Sequence, residues 1–467
     1  MKKIIVLLVL LLLFGCTQKQ DIGPAAQTIK NFSDGHLSFR YPDWPDAELA
    51  EQNFLVKNNG TCVFASARYP TMPSNMFKNY LEGHMNGTFG GNNKEYLDFT
   101  MDMNGTHFIA RSRVMYCNYD TYSITIACTG MPKLKEAELL SFASCAKRNL
   151  TVVPKLAMIP VPSNDNASGI ILAIKEAREN GVDVLDWYFD WKGLDNNWSV
   201  SDWMMEPISY EGRSSAMVEV IHTNVLSKYP DRFQSFDDPG FKEQFADFSA
   251  EFVKRYKPDY YFVGGEVDDY LWNHREKIPA FKELLHATRE KVKAANPSTK
   301  FGFTVTYHDA LRNNATDIAQ TLAPEADIIA YTNYGYHDLF VFDNVSLGAE
   351  YLDGVKDIVP GKPYAIIETG WSSSTLLNSS EERQAEFAKE FFSFIKSNET
   401  EAEFVKWWGL HDGKNCTDGA RSFLTEMPEL ENNTQFMAPF TEYLCSLGLK
   451  RYDGTPKKAW EVWQKNT

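Results

Sequence analysis

The sequence lacks several features that mark common classes of protein. No run of Lys and Arg stands out among its 467 residues, and 47 Lys and Arg against 62 Asp and Glu give a net charge of −15. Nucleic-acid binding depends on clustered positive charge, so no nucleic-acid partner is expected. The Cys-x-x-Cys pairs typical of zinc sites are absent. The Gly-x-Ser-x-Gly turn of many serine hydrolases and an unpaired Cys are absent as well, so a hydrolase with a Ser or Cys nucleophile is not expected.

Long hydrophobic runs are scarce too. The one marked run, residues 4–14, follows two lysines and is too short to span a bilayer. Residues 13–16 (LFGC) resemble a lipoprotein signal box, in which Cys16 becomes the lipidated first residue of the mature chain. We therefore expect a signal peptide over residues 1–15, a tether over residues 17–33 and anchoring to the membrane through Cys16. Plain secretory cleavage is the alternative.

The other six cysteines divide evenly about a predicted domain boundary near residue 150. Outside the cytoplasm, even numbers on each side favour disulfide bonds. The pair in the second region is Cys416 with Cys445, whereas the sequence leaves open how the first four pair. Those four are Cys62, Cys117, Cys128 and Cys145.

Asn-x-Ser/Thr sequons are abundant, in contrast. Either the loops are simply rich in Asn, Ser and Thr, or the chain is an exported glycoprotein. A signal box of this kind beside many sequons is typical of an archaeal surface protein, so we expect an extracellular location. The sequons begin at Asn31, Asn59, Asn86, Asn104, Asn149, Asn166, Asn197, Asn314, Asn344, Asn378, Asn398, Asn415 and Asn432.

Residues 34–150 alternate apolar and polar side chains in short segments separated by Gly- and Asn-rich turns. This pattern predicts a small disulfide-bonded α+β domain built on an antiparallel sheet, closed by a helix over about residues 133–146. Its opening LSFRYPDWP and its closing SFASCAKR resemble the PsbP/Mog1-like fold. No catalytic constellation is present, so we interpret the region as a spacer, binding or partner module.

Residues 153–467 alternate eight apolar runs with amphipathic helical segments, at spacings of roughly 25–45 residues. That pattern predicts a (β/α)8 barrel of the TIM type. A doubly wound sheet is the alternative, but it does not explain why so many runs end in polar or aromatic residues. The runs cover residues 155–162, 182–189, 215–222, 259–266, 300–308, 326–334, 363–368 and 404–412.

Two glutamates end runs that lie across the mouth of such a barrel, Glu266 after the fourth run and Glu368 after the seventh. Two facing carboxylates are the minimal equipment for cleaving a glycosidic bond, because one protonates the leaving oxygen and the other attacks the anomeric carbon. A structural carboxylate paired with Arg or Lys is the alternative. Asp268 and Asp269 are expected in a solvated loop rather than as helpers of Glu266 or as metal ligands.

With Tyr334, Trp408 and the tail GLKRYDGTPKKAWEVW, these residues resemble clan A of the glycoside hydrolases, the retaining (β/α)8 enzymes that include cellulases, mannanases and endo-galactanases. The resemblance covers residues 153–467. It implies Glu266 as acid/base and Glu368, in an ETGW context, as nucleophile. It also implies that Tyr334 hydrogen-bonds the nucleophile and that Trp408 forms the floor of the first sugar subsite. No metal or organic cofactor is implied.

One departure from the clan concerns the residue before the acid/base. The clan usually has Asn there, bound to the 2-hydroxyl of the sugar, whereas this chain has Gly265. His222, His308 or Asn333 are candidates to replace that contact. Further predicted substrate contacts share an aromatic ring near the end of a run, with core packing as the alternative. These are His222, His308, Trp371, Trp191 and Trp198.

The sequence as a whole therefore predicts an exported, membrane-anchored retaining glycoside hydrolase acting on a β-linked polysaccharide or glycan. A non-catalytic cell-surface barrel that binds glycans, or that only builds an assembly, is the alternative. Gly265 favours the alternative, and the two glutamates with Tyr334 and Trp408 oppose it.

Overall fold

The structure is a computed structural model, and the chain divides into two compact units at residues 149 and 150. Cys16, Trp191 and His222 lie outside the residues that it describes, as do the predicted signal peptide and most of the predicted tether. The described residues are 29–33, 37–42, 46–50, 53–58, 62–70, 74, 77–78, 86–90, 96–103, 106–129, 140, 143–145, 150–161, 167–190, 198–219, 238–397, 402–414, 416–423 and 433–467.

The first unit is built from antiparallel strands, as predicted. A seven-stranded sheet has the order β3-β4-β5-β9-β8-β7-β6, and a three-stranded sheet has the order β1-β2-β10. The strands are β1 (Ile29–Ser33), β2 (Leu37–Pro42), β3 (Asp46–Ala50), β4 (Asn53–Asn58), β5 (Cys62–Pro70), β6 (Asn86–Gly90), β7 (Tyr96–Met103), β8 (Thr106–Cys117), β9 (Asp120–Cys128) and β10 (Ser144–Cys145).

Two short segments of this unit differ from the prediction. Residues 29–33 form β1 rather than tether, and Phe32 packs on Phe39 of β2 with ring centroids 4.8 Å apart. Residues 144 and 145 form β10 rather than the end of a helix, and they pair with Ser38 and Leu37 of β2. In both segments, pairing with β2 determines the structure in place of the local sequence pattern, because β2 is covered by a neighbouring strand on each side.

Disulfide bonds tie the strands of the first unit together, as the even cysteine count predicts. Cys62 on β5 is bonded to Cys128 on β9, and Cys117 at the end of β8 is bonded to Cys145 on β10. The first bond joins residues that are direct partners across two neighbouring strands. Both bonds border the buried cluster that contains Phe39, so they staple the core of this unit.

The second unit contains a closed barrel of eight parallel strands, which confirms the predicted (β/α)8 architecture. Each predicted apolar run supplies one strand, and neighbours in the barrel are consecutive in the chain. The strands are β11 (Leu156–Ile159), β12 (Val184–Asp190), β13 (Arg213–Glu219), β14 (Tyr260–Val263), β15 (Lys300–Thr306), β16 (Ile328–Thr332), β17 (Tyr364–Thr369) and β18 (Ala402–Gly409).

Four helices of this unit cover the amphipathic segments predicted between the apolar runs, at residues 167–179, 239–256, 278–295 and 381–396. The second of these has a typical cap, because Asp238 accepts hydrogen bonds from the first backbone N–H groups of the helix and Pro239 lies in its first turn. The helices are α1 (Ala167–Glu179), α2 (Trp198–Glu211), α3 (Pro239–Tyr256), α4 (Val267–Asn273), α5 (Ile278–Ala295), α6 (Tyr307–Arg312), α7 (Thr316–Leu322), α8 (Val345–Gly354), α9 (Glu381–Lys396), α10 (Cys416–Phe423), α11 (Thr434–Ser446) and α12 (Lys458–Asn466).

The inside of the barrel is filled with side chains and is therefore a packed core. Its apolar residues include Tyr260, Phe262 and Phe404, which pack edge to face. One ion pair is embedded among them: Lys406 Nζ lies 2.6 Å from Asp186 Oδ2, and both side chains are fully buried. Within the described part of the chain, no helix is long and apolar enough to cross a membrane.

Candidate active site

The fourth barrel strand, β14, ends three residues before Glu266, and a sharp turn covers that gap. Gly264 has a φ of +107°, and a Cβ there would lie 2.3 Å from Val267 Cγ1, so only glycine fits. Glu266 itself has the left-handed values φ 55° and ψ 50°. Its backbone N–H donates to Thr304 Oγ1 on β15 at 2.8 Å. Such strain at a non-glycine residue is typical of functional sites.

Two side chains, one at the end of β16 and one just after it, form hydrogen bonds with the two predicted catalytic carboxylates. Thr332 Oγ1 donates to Glu266 Oε1 at 2.6 Å, and Tyr334 Oη donates to Glu368 Oε2 at 3.2 Å. Thr332 is also the register partner of Glu368 on β17. The two carboxyl groups are therefore bound by side chains only two residues apart in the chain.

Tyr334 is placed to be a permanent hydrogen-bond donor. Its side chain is buried, and burial together with the negative charges of Glu368 and Glu266 raises the pKa of the phenol well above its usual value. The hydroxyl therefore keeps its proton at all physiological pH values. A fixed donor favours the ionised form of the carboxylate that it contacts. That contact is the one the sequence resemblance implies for Tyr334.

Asp268 and Asp269 are buried, and the expectation of a solvated loop is wrong. They lie in the first turn of α4 and are 1% and 8% exposed. Asp268 Oδ1 accepts a hydrogen bond from the backbone of Thr306 at 2.8 Å, which fixes α4 against β15. Burial and the neighbouring carboxylates, Glu266 and Asp309 among them, raise the pKa of both aspartates well above the usual range.

These carboxylates do not form a metal centre in the described part of the chain, where no group of three or more His, Cys, Asp or Glu side chains could hold a metal ion. Carboxyl groups that share a region of low dielectric cannot all be ionised. Asp268 and Asp269 therefore favour their protonated forms.

Trp408 lies near the end of β18 and is half-buried. Its ring stacks on Tyr188 of β12, with centroids 6.3 Å apart and an angle of 26° between the planes. Lys406 Nζ lies 5.8 Å from the same ring. β12 and β18 both neighbour β11, so these aromatic side chains span the barrel mouth next to it. This position fits the predicted floor of a sugar subsite.

Two of the predicted tryptophan contacts are packing residues. Trp371 is 0% exposed, its Nε1 donates to Ser379 Oγ at 2.9 Å, and it packs on Phe387, so a bound sugar cannot reach it. Trp198 begins α2 and stacks on Phe248 of α3 at 5.2 Å with an angle of 6°. It therefore joins two outer helices instead of lining the mouth. In both cases the alternative of core packing is correct.

His308 also lies too deep for a sugar contact. It is 0% exposed, its ring meets Tyr336 edge to face at 4.8 Å, and neither ring nitrogen has a hydrogen-bond partner among the described residues. Burial lowers the pKa of His308 to about 3, so the ring is neutral. His308 therefore does not replace the missing Asn at Gly265. Asn333 is 2% exposed, and its backbone N–H donates to the backbone carbonyl of Glu368 at 2.8 Å.

Sequence reasoning missed several side chains that shape the site. Thr304 and Thr332 hold the Glu266 turn and its carboxyl, and Tyr443 of α11 packs against Tyr334 with ring centroids 5.3 Å apart. The pattern Thr332-x-Tyr334 at a strand end was a usable signal, because residues two apart share a face. Tyr443 gave no such signal, since its helix lies more than 100 residues further along the chain.

Comparison with known proteins gives similarity only at the level of structure. No family model matches the chain, and no curated protein matches its sequence. An exo-β-1,4-mannosidase from Opitutaceae bacterium strain TAV5 is 13% identical over 67% of this chain and 58% of its own, with a TM-score of 0.49. The chain thus spans less than two thirds of that mannosidase.

Two further solved structures are similar to the same extent. A GH5_18 protein from Streptomyces cattleya, solved in complex with GlcNAc, is 16% identical over 68% of this chain and 80% of its own, with a TM-score of 0.47. A psychrophilic glycoside hydrolase family 10 endo-β-1,4-xylanase is 11% identical over 67% and 96%, with a TM-score of 0.44. The predicted resemblance to glycoside hydrolases recurs here, but likenesses this weak carry no functional argument. Function is therefore argued from the carboxylates alone.

Proposed function

We propose that the barrel unit is a retaining glycoside hydrolase that cleaves a β-linked polysaccharide or glycan. Glu368 is the nucleophile and Glu266 the acid/base. The observation that carries this proposal is the double contact of one segment, in which Thr332 bonds to Glu266 and Tyr334 bonds to Glu368. It brings together two carboxylates from strands β14 and β17, which are not neighbours in the barrel.

The reaction uses the two carboxylates in succession. In the first step, the Glu368 carboxylate attacks the anomeric carbon while protonated Glu266 gives its proton to the glycosidic oxygen, and the bond to the leaving group breaks. In the second step, Glu266 removes a proton from water, which attacks the same carbon and releases Glu368. Tyr334 supports the ionised nucleophile by donating a hydrogen bond to it.

The test compares the chain from residue 17 with its Glu368→Gln and Glu266→Ala variants on β-glucans, mannans, galactans and xylans. Glu368→Gln abolishes the release of reducing ends. Glu368→Ala with azide gives a glycosyl azide of inverted configuration. Glu266→Ala retains activity only on substrates with good leaving groups, such as dinitrophenyl glycosides, because those need no proton. Glu276→Gln, an exposed side chain outside the site, serves as the control.

A non-catalytic glycan-binding barrel is the second candidate, and Gly265 favours it. The 2-hydroxyl contact that Asn usually makes strengthens in the transition state, and Gly265 has no side chain to make it. Binding of a glycan by the parent chain without release of reducing ends supports this second candidate. Equal loss of activity on all substrates in Glu266→Ala argues against the acid role of that residue.

We also propose that the chain is exported, glycosylated and lipid-anchored at the cell surface through Cys16. Three disulfide bonds support an oxidising compartment. Among the sequons, Asn31, Asn314, Asn344 and Asn378 are exposed, as glycosylation requires. Detergent-phase partitioning of the mature chain tests the anchor, since Cys16→Ser shifts the protein to the aqueous phase. Equal partitioning of both forms contradicts lipidation.

A further inference from the structure

Three residues at the C-terminal end of α11 lie between the chain segments that follow two barrel strands, and we call residues 446–448 the wedge. On the side of β17, the backbone N–H and the hydroxyl of Ser373 both donate to the Ser446 carbonyl at 3.1 Å. The hydroxyls of Ser372 and Ser446 share a hydrogen bond of 2.7 Å. Ser372 and Ser373 lie in the segment that follows Glu368 and the end of β17. The wedge therefore holds the chain just beyond the proposed nucleophile.

The other side of the wedge is bound to β18 and to the chain after it. Trp407 of β18 is 0% exposed, and its Nε1 donates to the Leu447 carbonyl at 3.0 Å. The backbone N–H of Gly448 donates to Asp412 Oδ1 at 3.0 Å. A Cβ at position 448 would lie 2.3 Å from the backbone nitrogen of Asp412, so this close approach requires glycine. Trp408, the predicted floor of the sugar subsite, directly follows Trp407.

The side chain of Leu447 packs between these two strand ends and is fully buried. A Cβ added to Gly370 would lie 3.6 Å from Leu447 Cδ2 and 3.7 Å from Trp408 Cβ. The leucine and the tryptophan therefore flank the same backbone position. Gly370 comes two residues after Glu368. Because protein interiors are close-packed, a side chain that fills such a gap sets the spacing of its walls.

Buried polar side chains hold the wedge in place. Gln384 Nε2 of α9 lies 3.1 to 3.4 Å from the backbone carbonyl oxygens of all three wedge residues. Lys457 Nζ donates to the Ser446 carbonyl at 3.2 Å and to Asp412 Oδ1 at 2.6 Å. Gln384 and Lys457 are 0% and 3% exposed. None of these bonds uses the Leu447 side chain, so shortening that side chain leaves them in place.

We propose that Leu447 is a positioning residue that sets the distance between the Glu368 end of β17 and the floor residue Trp408. This inference rests on the proposed function for its catalytic meaning, but the packing role does not depend on turnover. A sugar stacked on Trp408 presents its anomeric carbon to Glu368 only when the two are correctly spaced, and a misplacement of about 1 Å costs roughly 100-fold in rate. Removing the Leu447 side chain lets the floor shift relative to the nucleophile.

The first test observes Trp408 without any substrate. The protein is labelled with 5-fluorotryptophan, and the Trp408→Phe variant identifies the fluorine resonance of Trp408. Leu447→Ala shifts and broadens that resonance, because Trp408 loses a packing neighbour. Leu447→Met, which keeps the volume of the side chain, leaves the resonance near its parent position. Leu447→Val, a smaller truncation, produces the same change to a lesser extent and serves as the test if Leu447→Ala does not fold.

Leu449→Ala is the matched control. Leu449 is also fully buried, so the substitution removes the same volume, but the residue lies outside the wedge. The Trp408 resonance stays at its parent position in this variant even though its unfolding transition is lowered. An unchanged Trp408 resonance in Leu447→Ala and Leu447→Val overturns the inference. An equal change in Leu449→Ala overturns it as well, because the effect then reflects a general loosening of the barrel.

Turnover gives a separate readout. If the chain hydrolyses a β-glycoside, Leu447→Ala lowers kcat/KM by roughly 10- to 100-fold through both a lower kcat and a higher KM, and Leu447→Met restores both constants. A merely structural loss of folded enzyme lowers kcat alone, so an unchanged KM in Leu447→Ala contradicts the positioning role. A parent chain without hydrolytic activity refutes the proposed function and leaves the fluorine spectra to decide this inference. The two failures are therefore distinguishable.

Discussion

The Thr332 hydroxyl donates to Glu266 Oε1 at 2.6 Å, and the same Thr332 is the register partner of Glu368 on β17. A single residue at the end of β16 is thus linked to both carboxylates through a side-chain bond and a strand pairing. Glu266 follows β14, two strands away, and has a left-handed backbone. Thr332 therefore contributes directly to the geometry of the pair.

Replacing Thr332 with Val removes the hydroxyl and keeps the β-branched shape that suits a strand. We expect kcat/KM on glycosides with poor leaving groups to fall roughly twofold to tenfold, since a hydrogen bond between neutral groups contributes about 0.5–1.5 kcal/mol. Dinitrophenyl glycosides, which need no general acid, should lose much less. Thr332→Ser keeps the hydroxyl and should stay near the parent. Equal losses on both substrate classes would contradict the link between Thr332 and the acid role of Glu266.

The ion pair inside the barrel predicts a large and pH-dependent loss of stability. In Lys406→Met, Asp186 is left buried without its partner, and breaking a buried pair costs about 3–5 kcal/mol of unfolding free energy. Burial already raises the pKa of Asp186, so the folded state favours its protonated form. Stability contributed by this group is therefore lost as the pH rises. Urea unfolding should show the deficit shrinking toward acidic pH.

Lys254→Met is the control for this experiment, because Lys254 is exposed on α3 and only contacts Glu251 at 3.4 Å. An exposed pair of this kind contributes roughly 0–1 kcal/mol. A deficit in Lys406→Met that is equally small, or one that grows on acidification, would show that Asp186 does not depend on Lys406 for its burial.

His308 predicts that the fold is sensitive to acid. Its pKa is about 3 in the folded chain, below the ordinary value near 6.5, so the unfolded chain binds a proton first as the pH falls. Stability from this residue is complete above pH 6.5 and is lost between pH 6.5 and 3. From His308 alone, the free energy of unfolding at pH 4.5 should be about 2–3 kcal/mol lower than at pH 7.5.

His308→Leu should flatten that part of the pH dependence, because it removes a buried group with no hydrogen-bond partner among the described residues. His286→Gln is the control, since His286 is 63% exposed and lies 2.9 Å from Glu325. Chemical unfolding from pH 7.5 to 4.5 provides the comparison. An unchanged slope in His308→Leu would assign the acid sensitivity to other groups.

The Cys416–Cys445 bond should matter for both stability and rate. It closes a segment with a sequence separation of 29 residues, and a loop of this length corresponds to about 3–4 kcal/mol of unfolding free energy. The free energy of unfolding of the Cys416→Ser/Cys445→Ser variant, measured by urea unfolding, should be lower by that amount. It should also show a lower kcat, because Tyr443, two residues before Cys445, packs against Tyr334. A stability loss with an unchanged kcat would mean that other contacts hold Tyr443 against Tyr334 without the disulfide.

The barrel was predictable because each strand is a local signal. All eight apolar runs became strands, since apolar runs separated by amphipathic helices can bury their side chains only inside a closed or covered sheet. The positions of Glu266 and Glu368 followed from the same signal, as each stands at the end of such a run. The even number of cysteines and the expected oxidising compartment were enough to predict the disulfide bond of Cys416 with Cys445.

The extent to which individual side chains are buried was not predictable in the same way. Trp371, Trp198 and His308 each follow or begin an element near the mouth, yet packing against neighbouring helices or loops removes them from it. Asp268 and Asp269 appear polar and loop-like in sequence, but the helix start after Glu266 turns them inward. Burial of this kind depends on tertiary contacts that no spacing along the chain records.

The catalytic pair itself is tested most directly by trapping the glycosyl enzyme. The chain from residue 17 is incubated with dinitrophenyl 2-deoxy-2-fluoro-β-glycosides of glucose, mannose, galactose and xylose, and the intact mass is measured before peptide mapping. The proposal predicts a mass increase of one fluoroglycosyl group, located on Glu368 and lost in Glu368→Gln. A label on another residue, or hydrolysis that persists in Glu368→Gln, would contradict the assignment of Glu368 as the nucleophile.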